Sequence, residues 1–217
     1  MEALELRRAD IGFGRVIVDA HGVTRSGLWT TASLAWHEIL DYRLTVDLRD
    51  SPAAVFSGMG DLAEPLGAAL VIFDRQSGRP SRFGIDLVGE TRRIRVNWRF
   101  HDAELAIRQI LAQLRHPLGS RERDAFAVDG VGRFGALAIA DLEVRWRGKP
   151  ALPRAEVEAI AVFNSWPLSL RVVARDRVLP YASAKLARIP NLIAALDLAR
   201  ALGYRVRGRE LLARLGV

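Results

Sequence analysis

The sequence predicts a mainly β protein with some α-helix, organised as two successive β-rich units that are each closed by one helix. Three observations predict it. Short alternating apolar runs, separated by glycine or charged turns, recur along both halves. One amphipathic segment follows the strands in each half. And Leu34-Ala35-Trp36-His37-Glu38-Ile39 matches Leu152-Pro153-Arg154-Ala155-Glu156-Val157. Duplication within 217 residues favours two small units over one large enzyme fold.

In the first unit, Arg15-Val16-Ile17-Val18 and Val23-Thr24-Arg25 flank a turn at residues 19–22, and residues 31–34 read as a third strand. Tyr42, Leu44, Val46 and Leu48 then share one face of a cleanly alternating strand. Residues 49–66 break the pattern with two prolines and two glycines, and carry Val55, Phe56, Met59 and Leu62. A loop of that length is usually functional or disordered, and its apolar residues are expected to tuck onto the parent core more often than to await a ligand or partner. After an apolar run at 68–73, Phe83, Ile85 and Leu87 alternate with polar partners. Gly89-Glu90 reads as a two-residue hairpin loop, which sets Asp86 opposite Arg93 and Ile85 opposite Ile94. On the return strand Ile94, Val96, Trp98 and Phe100 point inward, and Arg93, Arg95 and Arg99 outward. Ala103, Ile107, Ile110, Leu111 and Leu114 stripe a helix that His101 or Asp102 can cap. His116-Pro117-Leu118-Gly119 ends it, and charged residues 120–124 read as the linker, dividing the chain into 1–119 and 120–217.

The second unit repeats the plan. Residues 136–139 precede a turn, and Leu142, Val144 and Trp146 alternate with charged residues. Residues 157–163 and 168–174 read as strands, Arg175-Asp176-Arg177 as a turn, and residues 178–182 as the last strand of the sheet. Pro190-Asn191 opens the final helix, with the asparagine as its cap. Leu192, Ile193, Leu196, Ala199 and Leu202 form its buried side, Gly203 stops it, and residues 209–215 read as a short helical turn.

The order of many antiparallel strands and then one helix, the two matched Glu-Ile/Val segments, and the Ile189-Pro190-Asn191-Leu192 opening of the last helix resemble bacterial pleckstrin-homology-like (PH-like) domains. The second copy lacks the tryptophan of the first. The resemblance implies two tandem PH-like barrels or sandwiches, each capped by a C-terminal helix. Glu38 and Glu156 then have a structural task, holding backbone donors at the bend while Ile39 and Val157 anchor it.

Composition narrows the function classes. No cysteine is present, which excludes disulfides, thiolate catalysis and cysteine zinc sites. The longest apolar runs are too short to cross a bilayer, and the start Met1-Glu2-Ala3-Leu4-Glu5 lacks a basic, apolar leader, so a cytoplasmic location is expected. The net charge is +7, yet 30 of the 32 basic residues are arginine. That lopsided choice, with abundant alanine, speaks for codon bias as much as for a polyanion-binding face.

Catalytic motifs fail on context. Gly130-Val131-Gly132-Arg133-Phe134-Gly135 spells GxGxxG but leads into a strand, so no cofactor is expected there. His21, His37, His101 and His116 have no ligand spacing, and no metal is expected. Ser165 and Ser169 lack a nucleophile elbow. The remaining candidates are surface contacts: the Arg93, Arg95 and Arg99 ridge, the loop residues Trp29 and Trp166, and Phe56 and Met59. The expected function is a non-enzymatic binding or scaffold module with a protein partner. Anionic lipid held by surface arginines is the alternative, and nucleic acid the least favoured partner.

Overall fold

Alternation builds the first half. Leu6, Val16, Val18, Val23 and Leu34 are buried along β1 (Leu4–Arg7), β2 (Arg15–Val18), β3 (Gly22–Ser26) and β4 (Thr31–Ala35), which form an antiparallel meander in that order. A 3-10 turn at Trp36–Glu38 leads to β5 (Asp41–Asp47). This strand, β6 (Arg82–Val88) and β7 (Arg93–Asn97) make a second, three-stranded antiparallel sheet. The computed structural model describes residues 3–7, 14–47, 82–97, 99–163 and 168–208. The expectations for 49–66 with Phe56 and Met59, for 68–73, Leu48, Trp98, Ser165, Trp166 and 209–215 lie outside those residues. Strand β1 is an addition to the sequence reading. Its four residues are too few and too charged to stand out, and its pairing with β2 supplies the missing stability.

The β6–β7 hairpin corrects the expected register. Val88 pairs with Arg93 and Asp86 with Arg95, so the loop holds four residues, closed by Gly89 N–H on the Arg92 carbonyl at 2.9 Å. The slip is two residues, which preserves side-chain parity. Ile94 and Val96 still face the core. The strand also ends at Asn97, and Arg99 sits in a turn beyond it.

The larger correction is the helix α1 (Ala103–Asp129). It begins with the expected buried stripe, including Ala103, Ile107, Ile110, Leu111 and Leu114, but runs on through Pro117 and the predicted linker, so position 119/120 falls inside it. A proline within a helix costs about 3 kcal/mol. Burial of Leu118 returns roughly 1.5–3 kcal/mol. A further turn on, the Glu122 carboxylate accepts from Asn191 Nδ2 at 3.0 Å, a bond of about 1 kcal/mol. Burial of Leu118 and the Glu122–Asn191 bond to the second half thus offset the breaker.

The second half follows the same element order. Strands β8 (Val131–Phe134), β9 (Leu137–Ala140), β10 (Glu143–Trp146) and β11 (Leu152–Pro153) form a meander, and a 3-10 turn at Arg154–Glu156 follows. Then come β12 (Val157–Phe163), β13 (Ser169–Ala174) and β14 (Ala182–Lys185), antiparallel neighbours. After a 3-10 turn at Leu186–Arg188, helix α2 (Leu192–Ala201) leads to β15 (Val206–Arg207), which joins β12 in parallel. The expected strand at 178–182 is instead an exposed loop, and pairing starts at Ala182. The GxGxxG motif serves backbone geometry. Gly130 ends α1 at φ 67° and Gly135 turns between β8 and β9 at φ 69°. The molecule is thus mainly β with two helices, and among the described residues no sheet closes into a barrel. No helix among them is long and apolar enough to cross a membrane.

One hydrophobic core spans both halves, and a polar seam crosses it. Asn191 N–H donates to the Tyr42 carbonyl at 3.0 Å, and Tyr42 N–H donates to Asn191 Oδ1 at 3.1 Å. Ile193 N–H donates to the Tyr42 hydroxyl at 3.0 Å. The expected asparagine cap is therefore corrected. Asn191 adopts φ 49° and makes no side-chain capping bond, because its amide reaches across to Tyr42 and Glu122. The tyrosine hydroxyl takes over one free N–H at the start of α2. Burial raises the Tyr42 phenol above its usual value, so it stays protonated. Arg115 of α1 and Asp197 of α2 approach to 3.6 Å beside the seam.

Candidate functional site

The duplicated six-residue segment forms the same corner twice. In each half it ends the fourth strand, makes the 3-10 turn and leads into the next strand. Glu38 performs the bland task expected of it, its carboxylate accepting from Ala35 N–H at 2.7 Å. Trp36 is half-buried and donates its indole N–H to the Asp19 carbonyl at 3.1 Å.

A groove opens at each corner. The first, of about 390 Å³, is lined by Leu34, His37, Glu38, Leu40 and the hairpin turn Glu90–Arg92. The second, of about 990 Å³, lies between Leu142, the 3-10 turn, the Arg175–Asp176 turn and the segment after α2, Gly203–Arg205. The hairpin turn in each wall follows the middle strand of the three antiparallel strands. The two grooves therefore occupy equivalent places, but their charges differ. The first contains two carboxylates and one arginine, the second three arginines and two carboxylates.

The second groove is built in layers. Tyr204 is buried and donates its hydroxyl to the Ala140 carbonyl at 2.7 Å. Burial raises this phenol, although the Arg154 charge opposes the shift. The Arg154 guanidinium lies over the Tyr204 ring at 5.4 Å and meets Asp141 at 3.1 Å. Gly203 makes that approach possible. A Cβ there would come within 2.5 Å of the Arg154 guanidinium, on a backbone at φ 78°. Glu158 is paired with Arg207 at 2.6 Å. Arg175 and Arg205 are exposed and have no side-chain partner among the described residues. Leu142, 76% exposed, adds an apolar rim. The arrangement offers donors and apolar surface to an anionic, partly apolar ligand.

The arginine ridge sits elsewhere and is differently employed. Asp86 is 5% exposed, and both Arg93 and Arg95 reach it at 2.6 Å. Burial pushes the Asp86 carboxyl up, but hydrogen bonds and charge from Arg95 and Arg93 outweigh it and hold the pKa below its ordinary value. Arg99 lies off the strand, its N–H donating to Asn97 Oδ1 at 3.2 Å. The three do not form one ridge. Trp29 stands on the β3–β4 turn, 89% exposed, next to exposed Leu28.

Sequence reasoning missed Arg154, Arg175 and Arg205 as a set. The repeat pointed to the corner, but only the fold brings the Arg175 turn and the segment after α2 against it. Among the described residues, no group of three or more His, Asp or Glu side chains is placed to hold a metal ion. No family model matches this chain, and no curated protein sequence matches it.

Proposed function

We propose that this chain is a non-enzymatic binding module of two PH-like units joined through helix α1, whose second-half corner groove holds an acidic segment of a protein partner. The PH-like reading is supported by the repeated order of four-stranded meander, 3-10 turn, three antiparallel strands and helix. The observation that carries the partner is the state of Arg175 and Arg205. Both line a groove of about 990 Å³, and neither is ion-paired among the described residues; of the two carboxylates in the lining, Glu158 is taken by Arg207 and Asp176 pairs with neither arginine. Guanidinium groups held ready beside exposed Leu142 suit a strand or turn bearing Asp or Glu next to an aliphatic residue.

The test is a peptide array probed with the intact chain. Peptides with Glu or Asp beside Leu or Val bind, and Arg205→Glu weakens them about tenfold or more, since it reverses charge at the contact. Equal binding by basic and acidic peptides, or by wild type and Arg205→Glu, removes the proposal.

A further inference from the structure

The loop between β13 and β14 presents two adjacent exposed aliphatic side chains. Val178 is fully exposed at 103% and Leu179 is 76% exposed, so neither side chain packs on its own molecule. The loop is nevertheless anchored at its base. The Tyr181 hydroxyl donates to the Pro150 carbonyl, and Lys149 Nζ donates to the Tyr181 carbonyl while lying 5.1 Å over the tyrosine ring. These contacts bring the turn at 147–150 beside the loop. Arg147 and Lys149 of that turn and Arg175 and Arg177 of the loop are all exposed, so the two neighbouring segments carry four cations beside the two aliphatic side chains. Asp176 is the one carboxylate within the two segments. Arg177 lies 6.0 Å from the Tyr181 ring, and Arg147 has no side-chain partner among the described residues.

We infer that this loop docks the protein on an anionic lipid bilayer, Val178 and Leu179 entering the interface while Arg147, Lys149, Arg175 and Arg177 meet lipid phosphates. Shape and charge select the occupant. A convex apolar tip requires a cavity in a rigid protein partner, whereas a bilayer yields to it. The four cations beside it gain from a negative leaflet and cost little to place there, because they are already exposed. The lipid reading thereby moves away from Arg93 and Arg95, which Asp86 occupies. It shares only Arg175 with the groove reading, and the variants that test it leave Arg175 and Arg205 intact.

Co-sedimentation of the intact chain with phosphatidylcholine vesicles, with and without phosphatidylserine, tests the inference. Binding is expected only with phosphatidylserine, and it falls as salt rises. Arg147→Glu with Arg177→Glu weakens it about 25-fold or more, at roughly fivefold per basic residue. Val178→Ser with Leu179→Ser weakens it about tenfold, through lost apolar burial. Leu28→Ser with Trp29→Ser, on another exposed turn, leaves it unchanged. Matching urea midpoints show that each variant is folded. Absence of sedimentation with phosphatidylserine in low-salt buffer overturns the inference. So does wild-type binding by Val178→Ser with Leu179→Ser, or an equal loss in the Leu28 and Trp29 variant. Acidic-peptide binding by the Val178 and Leu179 variant stays at the wild-type level, so the two readings fail separately.

Discussion

The Tyr42–Asn191 seam and the second corner groove use polar side chains in opposite ways. At the seam, Tyr42 is 2% exposed and Asn191 3% exposed; the Asn191 side chain accepts from Tyr42 N–H and donates to Glu122, and the Tyr42 hydroxyl accepts from Ile193 N–H. At the groove, Arg175 and Arg205 are exposed and unpaired by any described side chain. A buried polar group must find its partner inside the protein, because burial without one costs about 1–3 kcal/mol. An exposed guanidinium carries no such obligation and remains available to a ligand. Asp86 with Arg93 and Arg95 belongs with the seam, although two of the three residues look from the sequence like a binding surface.

Substitutions can break this contrast, and their effects on stability should descend from seam to groove. Asn191→Ala should cost the most, about 2–4 kcal/mol in urea unfolding, because Tyr42 N–H loses its acceptor and alanine tolerates the left-handed backbone poorly. Tyr42→Phe should cost about 1–2 kcal/mol by the same measurement, since Ile193 N–H loses the hydroxyl that satisfies it. If both variants unfold like wild type, the seam is not structural.

Asp86→Asn should cost about 1 kcal/mol at neutral pH, a modest value because both arginines are half-exposed. Its pH dependence gives the sharper check. The folded Asp86 pKa lies below the unfolded value of 3.8, so its stabilisation is complete above that value and is lost as pH falls toward the folded pKa. The gap between wild type and Asp86→Asn should therefore close below about pH 3.8. A constant gap down to lower pH would place the effect in packing rather than in charge. Arg205→Glu should change stability least, within about 0.5 kcal/mol, because it removes no internal bond.

Local patterns were legible in the sequence where a long strand or helix buries one face. The alternation at Tyr42, Leu44 and Val46 and the helical stripe from Ala103 to Leu114 match the buried side chains. So does the strand at Val157–Phe163. The repeated Glu-Ile/Val segment located both corners. What escaped depends on distance along the chain. Pro117 reads as a stop, and the buried Leu118 and the bond from Asn191 to Glu122 explain why the helix continues. Asn191 reads as a cap, and its partner Tyr42 stands 149 residues away. Arg93 reads as the partner of Asp86, and the hairpin loop of four residues instead of two sets Arg95 directly opposite Asp86, with both arginines reaching it. The groove arginines gave no signal because Arg154, Arg175 and Arg205 come from three separate segments.

Calorimetric titration of a peptide containing glutamate and leucine into the intact chain, wild type against Arg175→Glu with Arg205→Glu, tests the central claim most directly. Saturable, salt-sensitive binding at one site by wild type and its loss in the folded double variant is the predicted result. Identical titration curves for the two proteins, or no heat of binding to wild type in low-salt buffer, would contradict it.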